Sequence, residues 1–458
     1  MFRESTIGFS NNAAANLSIL NYVKKYGFYF TGQHILPMIN RYLLYTGFKL
    51  LGVAAFIFSQ RIAHKKLLHW LKTERKIPPA ATRAVTAVFI MFNVPLIIFL
   101  VPLSALEYVQ GKIFTALVYP FYVWQFAIFL LMLTLGAIKL FHISAKRLYR
   151  LLSKNSAIEE KISVLKTAPS FQRWRNWRSF DASRRAFLRT GIVGLSAYSF
   201  VGAARGVIDR NDYEIIERKI LIKNLPDEFK GFTIGLMSDV HSSAFMTKDE
   251  MDDYVAALNA LKTDLVVVPG DFVNSETEEV YPFAEAFANL RAPYGVYGCL
   301  GNHDYYADVD VVAKEVNDCG VKLLRNDAVK IQKGNSFFNL IGVDDIRHQI
   351  DPNTYIESAL SSVRNEQPKI LLCHRPYFLE TIDKYDIALT LAGHTHGGQI
   401  VLAHVGDIYL TPAALVSKYI SGLYHINNSQ MYVTRGIGTV GVPLRINCPP
   451  EITKITLV

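Results

Sequence analysis

LAGHTHGGQ, residues 391–399, places two histidines, His394 and His396, on either side of one threonine and between glycines. A strand-like run, residues 387–391, leads into it. In an extended segment, residues two apart point to the same side, so both imidazoles are expected to reach a common object. The glycines let the backbone turn tightly and let another group approach closely. Two histidines on a strand are more often structural, so the interpretation depends on the rest of the chain.

The charge of the chain is unevenly divided. Residues 1–210 hold 28 Lys and Arg against 7 Asp and Glu, whereas residues 211–458 hold 21 against 32. The formal net charge of +10 therefore comes from a hydrophobic N-terminal half, and the second half is acidic. Because an acidic domain is a poor partner for phosphate backbones, no nucleic-acid partner is expected.

The N-terminal part carries candidate membrane spans. Residues 1–35 form a mixed, aromatic lead-in without an assignable role, and residues 36–140 are predicted to hold three transmembrane helices. These helices cover about residues 43–59, 84–103 and 113–138. The last two contain no charged residue and are long enough to cross a hydrocarbon core of ~30 Å. Lys49 interrupts the first helix.

A paired arginine, Arg184 and Arg185, ends a basic segment, residues 141–189, which the positive-inside rule places in the cytoplasm. The apolar run that follows, residues 190–205, is predicted to be a fourth membrane helix or export signal. The pair and this run resemble the twin-arginine export signal of bacteria, whose translocase would then be a partner during export. The alternative is an ordinary stop-transfer helix with basic flanks. Either interpretation places residues 211–458 outside the cytoplasm.

Short strand-like runs alternate with helical segments from about residue 217. Residues 219–224 are predicted to be a strand, and a capping-box pattern at Thr247 predicts the start of a helix. A strand leads into each of five polar clusters, at the carboxyl ends where ligand sites are expected in α/β sheets. The clusters are Asp239-Val240-His241, residues 270–274, residues 301–304, His374, and residues 393–396.

These clusters supply oxygen and imidazole ligands without thiolate, a set that suits Mn²⁺, Fe or Zn²⁺. Taken alone, Asp271 and Asn302 are as easily explained as turn residues, and single histidines as buried structural residues. Taken together they favour a metal site, because burying so many ionisable groups without a cation is costly. The set is large enough for two incomplete coordination shells that share a carboxylate.

The ordered series D-x-H, GD-x-x-N, GNHD, H and GH-x-H, over about residues 230–400, resembles the calcineurin-like metallophosphoesterases. The tail YVTRGIGTVGVPLRINCPPE, residues 432–451, is similar to that of a bacterial membrane-linked or exported subgroup. The resemblance implies an N-terminal α-helical membrane region followed, over residues 211–458, by an α/β metallophosphoesterase domain that is a layered αββα sandwich.

The resemblance also implies seven ligands for two divalent metal ions (Mn, Fe or Zn). The first ion would bind Asp239, His241 and His396, the second Asn302, His374 and His394, and Asp271 would bridge them. His303 is expected to donate a proton to the leaving oxygen, and Asp304 to orient His303 through its carboxylate. The two cations are expected to activate a water for in-line attack on phosphorus, without a covalent enzyme intermediate.

Three arginines are candidates for binding the substrate phosphate, namely Arg375, Arg435 and Arg445. A surface position is an equally good interpretation of each, since most arginines are exposed. Asp345 and His404 fit none of the clusters and are expected on the surface or in loops.

The sequence thus predicts a multi-pass protein of the bacterial cell membrane that hydrolyses phosphodiesters or phosphomonoesters outside the cytoplasm, with lipid- or wall-linked phosphoesters as candidate substrates. The alternative is a non-catalytic membrane sensor that binds metal or a phosphorylated ligand. His303 argues against the sensor, because a binding module has no need of a proton donor. A nuclease of the same fold is disfavoured by the acidic charge and the predicted export.

Overall fold

A computed structural model describes residues 35–73, 75–98, 112–153, 164, 167, 169, 181–345, 351–363, 366–406 and 408–458. The chain divides into two compact units, Met1–Leu100 and Val101–Val458. The predicted lead-in, apart from residue 35, and the end of the predicted span 84–103 lie outside the described residues.

The first unit contains helices α1 (Ile35–Thr73) and α2 (Pro79–Ile98). α1 extends well past the predicted span 43–59, through the basic residues up to Lys72. Lys and Arg are good helix formers, so a basic segment that follows an apolar one continues the helix. Pro79 occupies the first position of α2, where its missing N–H costs nothing.

The second unit begins with helices α3 (Lys112–Leu152) and α4 (Asp181–Ile208). Within the described residues, two helical segments are long and apolar enough to cross a membrane by length and composition, Val118–Leu152 and Thr190–Asn211. The paired arginines lie in the first turns of α4, so the end of the predicted linker is helical.

Strands dominate the rest of the second unit. Their bounds are β1 (Glu214–Ile220), β2 (Thr233–Leu236), β3 (Leu265–Pro269), β4 (Val296–Cys299), β5 (Val321–Leu323), β6 (Asp327–Lys333), β7 (Ser336–Gly342), β8 (Lys369–Leu372), β9 (Leu389–Ala392), β10 (Ala403–Val405), β11 (Ile408–Leu410), β12 (Gly422–Ile426), β13 (Ser429–Val433) and β14 (Glu451–Leu457). The helices among them are α5 (Lys248–Ala260), α6 (Val280–Phe287), α7 (Val309–Asp318), α8 (Pro352–Leu360) and α9 (Leu379–Ile382).

The strands form two mixed six-stranded sheets, ordered β1-β14-β2-β3-β4-β5 and β12-β13-β9-β8-β7-β6, and a separate hairpin, β10-β11. In the first sheet β14 is antiparallel to β2, while β2 to β5 are parallel. In the second, β13, β9, β8 and β7 are parallel, and β12 and β6 close the edges in antiparallel pairing. The parallel strands of each sheet therefore bring their carboxyl ends to one edge.

Strand β3 explains the layering. Leu265 and Val267 point into a core between the two sheets, whereas Val266 and Val268 point into a second core that contains side chains of α5, α6 and α7. In β8, likewise, Leu371 faces a third core with side chains of α8 and α9. Strands buried on both faces read as continuous apolar runs. The order of layers is helix, sheet, sheet, helix, as the sequence predicted.

Local signals are confirmed for several elements. Strand β3 and helix α7 have the predicted bounds, and α5 begins with the capping box between Thr247 and Glu250. The predicted strand 219–224 is wrong beyond Ile220. Strand β1 pairs in register with β14, whose last residue is Leu457, so the ladder ends there.

Candidate metal centre

The polar clusters follow β2, β3, β4, β8 and β9 and meet at one edge of the domain. Five of their side chains start from left-handed backbone, an uncommon conformation outside glycine that costs about 1–3 kcal/mol per residue. The φ values are +53° at Asp239, +48° at His241, +56° at Asp271, +73° at His394 and +51° at His396. Strain repeated at successive strand ends marks this edge as a functional site.

One group of ligand atoms belongs to Asp239, His241 and His396, and all three side chains are buried. The Nε2 atoms of His241 and His396 are 3.1 Å apart, and His396 Nε2 is 3.5 Å from Asp239 Oδ1. Two ligands bound tetrahedrally to one ion at about 2.1 Å are roughly 3.4 Å apart, so these separations suit a common cation.

A second group belongs to Asp271, His374 and His394. His374 Nε2 is 3.1 Å from Asp271 Oδ2 and 3.2 Å from His394 Nδ1. Asp271 Oδ2 is also 3.5 Å from His241 Nε2, which belongs to the first group. The Asp271 carboxylate therefore lies between the two groups.

Asn302 contributes a buried amide whose Oδ1 has no hydrogen-bond partner, and the same holds for Asp239 Oδ2. Buried acceptors are almost always paired, so two unpaired oxygens in one site require an explanation. A cation is the natural partner for an oxygen that no donor reaches.

Two of the imidazoles are held in the tautomer that a metal needs. His374 Nδ1 donates to the carbonyl of Pro269 at 2.8 Å, and His396 Nδ1 donates to the carbonyl of Gly438 at 3.3 Å. Because these carbonyls only accept, Nδ1 carries the proton in the neutral form of each ring, and the lone pair of that form is on Nε2, the atom that faces the other ligands. Backbone carbonyls behind ligating histidines are a recurrent feature of metal sites. The residues present therefore fit divalent cations.

Burial and mutual charge set the protonation of the site. Burial lowers the pKa of His241 and of His394 well below the usual range, and burial together with Arg445 lowers that of His396 to about 3. For His374 the Asp271 carboxylate outweighs burial and raises the pKa to about 10. Most of the imidazoles are thus neutral, as ligands must be.

Two glycines are required by close approach. A Cβ on Gly393 would lie 2.2 Å from Asp239 Oδ2 and 2.3 Å from Ser238 Oγ. A Cβ on Gly301 would lie 2.2 Å from Asp271 Oδ1. Any side chain at either position would push a carboxylate out of the site.

Within the stretch 391–399 only Leu391 and Ala392, the end of β9, are in a strand, so the predicted alternation across Thr395 is wrong. Thr395 is right-handed (φ −86°, ψ −10°), and residues His396–Gly398 form a short 3-10 turn. Both imidazoles enter the site because their own backbones are left-handed and because long-range bonds hold the turn. The His394 N–H donates to Asp239 Oδ1 at 2.8 Å, and the Thr395 hydroxyl donates to the carbonyl of Ile420 at 2.6 Å.

His303 lies beside the first group, with its ring centroid 4.5 Å from that of His241. The backbone N–H of His303 donates to Asp271 Oδ1 at 2.8 Å, and the ring Nδ1 donates to the carbonyl of Asn274. This leaves Nε2 as the ring nitrogen that can hold or release a proton. His303 is partly exposed, unlike the buried imidazoles around it.

The predicted role of Asp304 is corrected, because its carboxylate does not bind the ring of His303. It is fully buried and accepts four backbone N–H groups, those of Asp271, Phe272, Val273 and Gly301. Burial raises the pKa of Asp304, and these donors oppose the rise. Asp304 therefore fixes the loops that carry Asp271 and Asn302.

The three arginines all have protein partners. Arg375 makes two bonds to Asp345, at 2.6 and 3.3 Å, and Arg435 binds Glu451 at 2.7 Å and Glu214 at 2.8 Å. The guanidinium of Arg435 is thus paired with two carboxylates, and its contact with a substrate phosphate stays a prediction.

Arg445 is buried and donates to backbone carbonyls, among them those of His396 at 3.4 Å and Gly438 at 2.6 Å. Its contact with substrate stays a prediction, whereas the alternative, a surface position, is wrong because the side chain is buried. The guanidinium instead joins the loop of residues 435–448 to the turn that carries His396.

Asp345, expected on the surface or in a loop, lies in the loop after β7 but has a role that the sequence did not predict. Asp345 is buried and holds Arg375, the neighbour of His374. The signal was available, because Asp345 follows strand β7 as the ligand clusters follow theirs. The carbonyls of Asn274 and Gly438, which accept from His303 and His396, could not be predicted from the sequence, since every residue has a carbonyl.

The fold and the site define a metal-dependent phosphoester hydrolase. Residues 232–398 match the calcineurin-like phosphoesterase family. An uncharacterized metallophosphoesterase of Bacillus subtilis is 32% identical over 287 residues, which cover 60% of this chain and 97% of that protein. The chain therefore belongs to the calcineurin-like metallophosphoesterase family, whose members use divalent metal ions, and the predicted enzyme class is confirmed.

Two further relatives have informative names. The Escherichia coli phosphodiesterase YaeI is 29% identical over 283 residues, covering 60% of this chain and 99% of that protein. A zebrafish (Danio rerio) transmembrane protein with a metallophosphoesterase domain is 29% identical over 326 residues, covering 68% of each chain.

Among solved structures, the chain matches a Thermus thermophilus sulfate thiohydrolase with a TM-score of 0.32 and 11% identity. That match covers 47% of this chain and 53% of the thiohydrolase chain.

Proposed function

We propose that this protein is a membrane-anchored phosphodiesterase with two divalent metal ions, and that it acts outside the cytoplasm on phosphoesters held at a membrane or cell wall. The observation that carries the proposal is the position of Asp271. Its carboxylate lies between two groups of imidazoles, at 3.1 Å from His374 Nε2 and 3.5 Å from His241 Nε2. A shared carboxylate is what a pair of neighbouring cations requires.

We propose for the seven ligands the same division between two ions that the resemblance implies. Asp239, His241 and His396 would hold one ion, and Asn302, His374 and His394 the other, with Asp271 shared. When bound, the ions would supply a nucleophile at neutral pH and neutralise charge on the phosphoryl oxygens. The oxygen and nitrogen ligands suit Mn, Fe or Zn as a class and do not distinguish among these three metals.

His303 is proposed to act on the leaving group. Its Nδ1 is committed to the Asn274 carbonyl, so Nε2 alone exchanges a proton with substrate. The backbone bond from His303 to Asp271 ties the position of this ring to the shared carboxylate. A protonated Nε2 can neutralise an alkoxide leaving group, and general acid catalysis of this kind contributes about 10²–10⁴-fold.

Membrane anchoring is supported by the apolar segments Val118–Leu152 and Thr190–Asn211 and by the name of the zebrafish relative. Export is proposed from the paired arginines at the start of α4, with the basic segment before them in the cytoplasm. An alkaline phosphatase fusion after residue 215 should be active in a bacterial host. An inactive fusion would contradict the proposed orientation.

The preference for diesters is proposed from the name of the Escherichia coli relative. Lipid- or wall-linked diesters are the proposed substrates because an anchored site meets them at high local concentration.

Asp271→Asn tests the catalytic proposal. The amide keeps an oxygen for the His303 N–H but loses the charge that two cations share. Hydrolysis of an aryl phosphodiester with added Mn²⁺ should fall by more than about a hundredfold, with bound metal lost as measured by mass spectrometry. The matched control is Asp318→Asn at an exposed carboxylate. Full activity of Asp271→Asn would refute the proposed use of the site.

A further inference from the structure

The hairpin β10-β11 and the segment that follows it expose large apolar side chains. We call six of these residues the apolar patch: Leu402, Val405, Ile408, Leu410, Leu415 and Val416. Val405, Ile408 and Leu415 are 79%, 77% and 89% exposed. Single exposed apolar residues are ordinary, but a contiguous set of this kind marks an interaction surface.

The fold itself does not need these side chains to be apolar. β10 and β11 form their own two-stranded sheet, and among the described strands they pair only with each other. Every residue of the two strands except Tyr409 is exposed. None of the six side chains belongs to the buried cores described above, so polar residues at these positions would leave those cores unchanged.

The base of the hairpin is fixed to the end of the apolar helix α4. Ile400 forms a parallel bridge with Ile446, and the Val401 N–H donates to the Ile446 carbonyl at 2.9 Å. Next to Ile446, the Arg445 N–H donates to the carbonyl of Gly206 in α4 at 2.8 Å. A Cβ on Gly206 would lie 2.9 Å from that arginine's carbonyl oxygen, so helix and loop are in direct contact.

Near this junction helix α4 exposes two apolar side chains, with the exposed Arg205 between them. Val201 and Ile208 are 56% and 74% exposed, and the segment Thr190–Asn211 has a mean hydropathy of 1.4 in its most apolar window. The hairpin is therefore attached to the end of a helix that is long and apolar enough to cross a membrane.

The same segment is also attached to the metal centre. The Thr411 hydroxyl, directly after β11, donates to the carbonyl of Gly398 at 2.8 Å. Gly398 ends the turn that carries His396. Whatever the apolar patch binds is consequently held close to the site.

We propose that the apolar patch docks on a lipid bilayer surface and holds the metal centre against it. The bilayer is the occupant favoured by the attachment of the hairpin to the end of α4, a helix long and apolar enough to cross a membrane. The exposed Arg205 at this end suits the level of the lipid headgroups. A short apolar element beside a membrane-spanning helix enters the interface between headgroups and acyl chains. The substrate is then a phosphodiester at headgroup depth, a consequence that rests on the proposed function.

Fluorescence tests the docking without reference to activity. The full chain carries Cys319→Ser, which removes the one native cysteine that is not buried and would otherwise take up the label. A single new cysteine is then placed at Val405 or at Asn335 and labelled with an environment-sensitive dye. Asn335 is an exposed residue in the turn between β6 and β7, at the opposite end of β7 from the site. The proteins are placed in vesicles of phosphatidylethanolamine and phosphatidylglycerol, with or without brominated acyl chains.

The dye at Val405 should shift to shorter wavelength and be quenched by brominated lipid, while the dye at Asn335 should do neither. Equal behaviour of the two dyes would overturn the proposal. A shift at Val405 without quenching by brominated lipid would show burial against protein, such as a second copy of the chain, and would also overturn it.

A kinetic comparison separates docking from catalysis. The double variant Val405→Asp, Ile408→Asp should lower hydrolysis of a phosphodiester lipid in vesicles by at least about tenfold, because charged side chains oppose insertion. Its rate on soluble bis-nitrophenyl phosphate should stay within about twofold of the unmodified protein. Equal rates on vesicles would refute docking. If the unmodified protein hydrolysed neither substrate, the proposed function would fail while the quenching result still decided the docking.

Discussion

Replacing Asp304 with asparagine tests whether this buried carboxylate organises the metal centre through the backbone. Oδ1 accepts from Phe272 N at 2.8 Å and Val273 N at 3.2 Å, and Oδ2 accepts from Asp271 N at 3.1 Å and Gly301 N at 2.8 Å. An asparagine has one oxygen, so it can satisfy only one of these pairs. The amide N–H₂ group then faces two backbone donors.

The magnitude follows from the count of lost acceptors. A buried donor left without a partner costs about 1–3 kcal/mol, so two of them cost about 2–6 kcal/mol. For a domain of this size, 1 kcal/mol lowers the Tm by about 2–4 °C, and the variant should melt about 5–20 °C lower. Asp304→Ala removes all four acceptors and should be still less stable.

The assay is thermal unfolding of the purified full chain in detergent, followed by near-ultraviolet circular dichroism. Asp318→Asn is the matched control, since its exposed carboxylate contacts only Lys314, and it should change stability by less than about 0.5 kcal/mol. A Tm for Asp304→Asn within about 1 °C of the unmodified protein would refute the reasoning, because the four donors would then have found other acceptors.

Three further variants address the site. His303→Gln should lower kcat on an aryl phosphodiester by about 10²–10⁴-fold with bound metal unchanged by mass spectrometry; parallel loss of metal would make His303 a ligand instead. His394→Ala and His396→Ala should each lower the content of one metal preferentially, because the two rings belong to different ligand groups, and equal loss of both metals in each variant would argue against the division. Arg445→Lys keeps the charge but not the guanidinium that binds several carbonyls, so it should lower the Tm and loosen the His396 turn. An unchanged Tm together with weaker inhibition by phosphate would instead favour a role of Arg445 in substrate binding.

The sequence by itself located the candidate ligand side chains, because each follows an apolar run and a few adjacent residues are enough to predict a strand. Strand β3 is a fully apolar run, and Asp271 comes two residues after it. The carboxyl ends of parallel strands meet at one edge, so strand order alone predicts that such residues gather there. The capping box at Thr247 was equally local, since it depends on residues three apart.

Only the tertiary structure decided how the side chains are aimed. His394 and His396 face the site through left-handed backbone held by bonds to Asp239 and to Ile420, residues far from them in the chain. Asp304 and Arg445 have the residue types of catalytic and phosphate-binding groups, yet Asp304 binds backbone N–H groups of another loop and Arg445 binds the carbonyl of His396.

The physical reason is the range of the interactions. Residue type and strand periodicity are properties of a few adjacent residues, so the sequence displays them directly. The hydrogen-bond partner of a buried charge depends on which loops the fold brings within about 3 Å of it. Those loops come together only when the two sheets pack.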